Sequence, residues 1–155
     1  MRETGLCVQN PEGSFTYRAA ALIIQGGRLL VAKNVEHPLY YTVGGVVEIN
    51  ETSEEAVVRE VYEETGCRLA VDRLAYVQER FFRAGGQALH EVVFFYLMKE
   101  NPAMEIAENS FTDQETETLH WLPLDRLREY DLVPAFLKTK ALGEGDGIEH
   151  IISRE

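Results

Sequence analysis

Glu60, Glu63 and Glu64 stand at i, i+3 and i+4, a spacing that puts three carboxylates on neighbouring positions of one helix face. Unscreened, they repel and drive carboxyl pKa values upward, so either water solvates them or a divalent cation holds them. An all-oxygen donor set favours a hard ion, Mg²⁺ or Mn²⁺, over zinc. Arg59 lies beside them and can clamp a carboxylate through its planar fork. Alone, such a run reads first as a solvated acidic helix face. What distinguishes this one lies upstream, where Gly44 and Gly45 allow close backbone approach and expose a carbonyl oxygen of the kind hard metals take.

The element carrying the carboxylates is the clearest in the chain. A helix is expected over Ser53 to Thr65: Thr52 and Glu55 have capping-box spacing, Glu54 and Glu55 suit the positive end of the dipole, and Gly66 suits a left-handed C-terminal cap. At about 100° per residue, Val57, Val58, Val61, Tyr62 and Thr65 form the expected core face. Ala56, Arg59, Glu60, Glu63 and Glu64 form the opposite face.

Read together, Gly45, Glu51, Arg59, Glu60, Val61, Glu63, Glu64, Gly66 and Cys67 match the pattern G-x5-E-x7-R-E-U-x-E-E-x-G-U, with U apolar. The segment resembles the Nudix hydrolase box, with every charged and glycine position in place. Val43 stands where the family often has Pro, and Asn50 where Gly is common; Asn tolerates the left-handed backbone better than most residues. The resemblance extends more weakly over most of residues 15 to 140, through an opening hairpin and through Trp121-Leu122-Pro123-Leu124-Asp125-Arg126-Leu127. It implies an α/β fold, a mixed β-sheet in an α/β/α sandwich. It further implies Mg²⁺-dependent cleavage of a nucleoside diphosphate linked to another moiety X, by water attack at phosphorus. In that scheme Glu60, Glu63, Glu64 and the Gly44 carbonyl hold metal, Arg59 orients a metal-binding carboxylate and Glu51 holds the loop-to-helix junction. The general base is Glu60 or an acidic residue of the loop before the Trp121 strand, of which Glu115 is the choice.

The rest of the chain supplies the frame. Tyr17–Ile24 and Arg28–Lys33, around Gln25-Gly26-Gly27, read as a β-hairpin, as do Ala75–Arg83 and Glu91–Lys99 around Ala84-Gly85-Gly86-Gln87. Phe94 to Leu97 reads as buried on both faces. A strand is expected over Thr118–Leu122, a helix from about Pro123–Asp125 and a last helix from Pro134 to Leu142, followed by a tail over residues 143–155. Tyr40 and Tyr41, just before the glycines, read as structural support. In the second hairpin, Arg80, Phe82 and Arg83 are the candidate substrate contacts, since aromatic faces and guanidinium forks suit nucleotides.

Composition bounds the rest. A chain of 155 residues, 45% hydrophobic, fits a single domain with its own core. Lys plus Arg is 15 and Asp plus Glu 26, a net charge of −11, which disfavours extended nucleic acid as a partner. A small nucleotide remains open because a metal neutralises it locally. Cys7 and Cys67 are too far apart in sequence for a metal knuckle, and a reducing, cytoplasmic setting away from membranes is expected. Exposed strand edges would allow a homodimer without requiring one. A binding-only module for nucleotides or sugar nucleotides is the rival reading, and the intact box argues against it.

Overall fold

The computed structural model describes residues 5–112 and 116–155. Eleven strands run in chain order: β1 (Cys7–Asn10), β2 (Gly13–Leu22), β3 (Ile24–Gln25), β4 (Arg28–Asn34), β5 (Tyr40–Val46), β6 (Val71–Ala84), β7 (Gln87–Met98), β8 (Ser110–Phe111), β9 (Glu117–Pro123), β10 (Leu132–Val133) and β11 (Glu149–Arg154). One α-helix, α1, spans Ser53–Thr65 as the sequence predicts. Thr52 accepts the Glu55 amide at 3.0 Å and Gly66 closes the helix at φ 76°. Replacing Thr52 by Ala should cost about 1 kcal/mol, lowering the thermal midpoint by roughly 2–4 °C for a chain of this size; calorimetry measures it.

The strands form one mixed sheet, ordered β11-β6-β7-β2-β5-β4-β9-β8. Pairs β2/β7 and β6/β11 are parallel, whereas β6/β7, β2/β5, β4/β5 and β4/β9 are antiparallel. Strand β5 is the seam: Tyr40–Thr42 pair with β4 and Val43–Val46 with β2. Along β2, Ala19 and Ala21 face α1 in a core with Val43, Val47, Val57 and Val61. Ala20 and Leu22 face the other way, against Phe95, Leu127, Leu132 and Leu137. A strand buried on both faces reads as one continuous apolar run, as this one does.

Three expectations are corrected. The first hairpin shrinks to β3 against β4 (Ile24↔Leu29, Gln25↔Arg28), because β2, apolar on both faces, takes the sheet interior with β7 and β5 as neighbours. The two late helices are 3₁₀ turns, Leu124–Glu129 and Ala135–Thr139. Neither has a side-chain N-cap, and the chain between them is drawn into pairing with β5 as β10. The sandwich therefore has α1 on one face and 3₁₀ turns on the other. The segment read as a tail contains β11, bound to β6 along Tyr76–Phe81. The hairpin around Gly85-Gly86 forms as read and extends further in both directions, over β6 and β7. Among the described residues no helix is long and apolar enough to cross a membrane.

Candidate active site

The rotation of α1 about its axis decides the chemistry. Its buried residues are Ser53, Ala56, Val57 and Val61, whereas Tyr62, expected in the core, is 45% exposed under the Arg68 guanidinium. The sheet-facing stripe is thus turned from the most apolar arc toward the one holding Glu60 and Glu64. The sheet accommodates Glu60 because the residue facing it has no side chain: a Cβ on Gly45 would lie 2.5 Å from the Glu60 carboxyl carbon. A Cβ on Gly44 would instead lie 2.3 Å from the Ala19 carbonyl oxygen, so glycine there lets β5 approach β2. Asn50, at φ 65°, takes the left-handed conformation before the helix. Ser53 anchors the first turn through a 2.6 Å hydrogen bond to the Tyr96 hydroxyl.

Arg59 organises the carboxylates. It grips Glu51 with two bonds, Nε to Oε2 at 2.7 Å and Nη2 to Oε1 at 2.8 Å. Nη2 also donates to the Val46 carbonyl at 3.2 Å, and Nη1 donates to Glu60 at 2.7 Å and to Glu63 at 3.3 Å. Glu51 in turn accepts the Glu48 amide at 3.1 Å. The guanidinium is held firmly charged, chiefly by its bond to Glu51. Lysine, a point charge without the fork, cannot hold Glu51, Glu60 and Val46 together. Arg59→Lys should therefore lower turnover roughly 10–100-fold, as is usual when a partner that orients a metal-binding group is lost; steady-state kinetics beside circular dichroism would show whether turnover falls more than folding.

Glu64 accepts the Gly44 amide at 3.0 Å and is pushed up to about 9, first by burial and then by the charges of Glu117 and Glu60. Glu117, the first residue of β9, is buried and accepts the Tyr41 hydroxyl. Tyr41, raised by burial and by Glu117, stays a neutral donor. Sequence reasoning passed over Glu117 for Glu115, which lies outside the described residues. A signal was available: Glu117 is two residues from the buried Leu119, so strand alternation turns both inward.

Among the described residues no three acidic, His or Cys side chains converge on one metal-sized point. Arg59 draws Glu60 and Glu63 to itself, and Glu64 turns to Gly44. The donor chemistry nonetheless fits a hard divalent cation. It is all oxygen, clustered around the gap at Gly44 and Gly45, and carries like charge that burial and repulsion leave unfavourable until a cation offsets it.

A cavity of about 240 Å³ opens beside this cluster, reaching from Gly44, Tyr41 and Arg18 to Gln78 and Arg80. Arg18, an arginine within an otherwise apolar run, offsets a small part of the upward shifts that burial and neighbouring carboxylates impose on Glu64 and Tyr41. Of the candidate substrate contacts, only Arg80 lines this cavity; it pairs with Glu91 at 3.6 Å and Glu155 at 2.9 Å and lies over the Phe82 ring. Phe82 and Arg83 line a separate cavity toward the hairpin tip, where Arg83 donates to the Gly86 carbonyl.

A three-layered mixed sheet with this glycine-glutamate-arginine site is the architecture of one family, and residues 15–141 match the NUDIX domain. The chain belongs to the NUDIX family. It is 32% identical over 111 residues to a MutT-like protein of Streptomyces ambofaciens, covering 72% of this chain and 65% of that one. It is also 32% identical over 130 residues to a putative mutator protein MutT4 of Mycobacterium tuberculosis, covering 79% and 46% respectively. The chain thus spans less than two thirds of the length of these curated relatives. In fold it is similar to a mutator MutT protein from Bacillus halodurans, with a TM-score of 0.66 at 19% identity over 87% of this chain and 89% of that one.

Proposed function

We propose that the chain is a metal-dependent pyrophosphohydrolase that cleaves a nucleoside diphosphate linked to a moiety X. The observation that carries this reading is the Arg59 clamp, which holds Glu51, Glu60 and Glu63 in one network near the partly buried Glu64 and the buried Glu117, beside a cavity lined by Gly44, Tyr41 and Arg18. Glu60, Glu63, Glu64 and the Gly44 carbonyl hold the ion, Mg²⁺ with Mn²⁺ able to substitute, and Glu117 adds a further carboxylate close by. Bound there, the ion supplies Lewis-acid stabilisation of the diphosphate and lowers the pKa of the attacking water.

The protein's own groups do the positioning. Arg59 fixes the orientation of Glu60 and Glu63, Glu51 ties Arg59 to the loop, and Gly45 leaves room for the Glu60 carboxylate. Arg18 and Arg80 line the cavity where they meet phosphate or the group beyond it. Phe82 and Arg83 are given no substrate contact. Glu60 or Glu115 takes the proton from water; pH–rate profiles of the two Gln variants tell which, since loss of the base removes the acidic limb, where rate rises as the base deprotonates. The reading places the enzyme among small cytoplasmic nucleotides, without nucleic-acid or membrane partners.

The test is product release from nucleoside triphosphates, ADP-ribose, dinucleoside polyphosphates and sugar nucleotides, with and without Mg²⁺. Mg²⁺-dependent turnover of any one supports the reading and ranks substrates. Tight binding without turnover would replace it with the binding-only module.

A further inference from the structure

Gln78 is fully buried, yet only half of its carboxamide is satisfied. Its Nε2 donates to the Ser153 hydroxyl of β11 at 3.1 Å, while Oε1 is buried without a hydrogen-bond partner. An amide oxygen left unpaired away from water is costly, and a native protein keeps such a group where something pairs with it. Gln78 lines the same cavity as Gly44, whose amide meets the Glu64 carboxylate. Its apolar lining includes Ala20, Val93, Phe95 and Pro134, beside the charged Arg18, Arg80 and Glu91. At about 240 Å³ the cavity is smaller than the ~300–1,000 Å³ typical of drug-sized ligand sites, so it takes one flat ring system rather than a second nucleotide.

We propose that Gln78 is a specificity-determining residue, whose carboxamide oxygen accepts a hydrogen bond from an N–H group on the edge of the substrate's nucleobase. The inference rests on the reading of the site as a nucleoside diphosphate hydrolase and deepens it by stating where the base lies and which atom reads it. Three features combine. The Ser153 contact engages Nε2 and leaves Oε1 unpaired, the apolar residues of the lining stack a ring, and Gly44, in the same lining and bonded through its amide to Glu64, sets the diphosphate near the carboxylates. A base with an exocyclic amine or a ring N–H satisfies Oε1, whereas unsubstituted purine offers only acceptors and leaves two acceptors facing each other.

The experiment measures binding, so its outcome is separate from turnover. Affinities of ADP, CDP, GDP, UDP and purine-riboside 5′-diphosphate are compared for wild type and Gln78→Met in Mg²⁺. The side-chain amide resonance of Gln78 is followed by NMR in the wild type. At least one N–H-bearing diphosphate should bind about tenfold more tightly than the purine-riboside compound, the preference should vanish in Gln78→Met, and the Gln78 resonance should shift on binding. Equal affinity for all five in the wild type, a preference that survives in Gln78→Met, or a resonance that no diphosphate moves would each overturn the assignment. If Gln78→Met does not fold, the wild-type affinities and the resonance decide. The expected binding pattern in a protein that hydrolyses none of the compounds above would keep the base pocket and discard the hydrolase.

Discussion

Glu63→Gln should reduce Mg²⁺-dependent turnover by roughly a thousandfold, within the range of 10²–10⁴ typical for a single group acting directly at the reacting centre. The secondary structure should not change. Glu63 is on the half-exposed side of α1, bonded at 3.3 Å to Arg59, and packs in neither core, so replacing one oxygen by an amide removes charge without opening a void. The amide also presents a donor where a cation and a guanidinium both require an acceptor. Turnover at saturating Mg²⁺ and the far-ultraviolet circular dichroism, taken together, test the assignment. A variant that retains wild-type rate would remove Glu63 from the site, and one that loses its fold would make it structural.

Glu64→Gln should do something unusual for a partly buried position proposed to hold metal, and stabilise the protein when divalent cations are chelated. The Glu64 carboxyl is raised from 4.5 to about 9, by burial first and then by Glu117 and Glu60. An acid whose folded pKa lies above its unfolded value contributes fully below the unfolded value, and that contribution is lost as pH rises toward the folded one. Wild-type stability in chelator should therefore decline from about pH 4.5 to about pH 9. The carboxamide of the variant would carry no charge, and its oxygen would still accept the Gly44 amide. At pH 8 the gain should be roughly 2–4 kcal/mol, given about 1.4 kcal/mol per pKa unit, or on the order of 5–15 °C in midpoint. Added Mg²⁺ should stabilise the wild type strongly at that pH and the variant little, because the cation and the substitution relieve the same repulsion. A variant less stable than wild type in chelator at pH 8 would show that burial and repulsion do not dominate at Glu64.

These two glutamates differ by one position in sequence and sharply in environment, which marks the boundary of what the chain reveals unaided. The limits of α1 were legible because caps are local: Thr52, Glu55 and Gly66 act within a few residues of themselves. The Nudix box was legible for the same reason, and so was the hairpin around Gly85-Gly86. The sequence also placed Asn50 correctly in a left-handed turn.

Apolar periodicity indicates which residues of a helix share a face, but not which face meets the sheet, since that depends on the shape of the partner. Here Gly45 leaves room that the Glu60 carboxylate fills and the Gly44 amide meets Glu64, so α1 turns Glu60 and Glu64 toward the sheet and leaves Tyr62 half-exposed. The neighbours of β2, the reduction of two expected helices to 3₁₀ turns and the recruitment of Glu117 and Gln78 likewise depend on contacts between segments far apart in the chain. The sequence by itself determined the family motif, the candidate groups within it and the helix that presents most of them. Only the tertiary structure decided how deeply each of them is buried, which strand adds Glu117 to the cluster and which residues line the cavity beside it, because burial and charge coupling arise from packing between elements rather than from spacing within one.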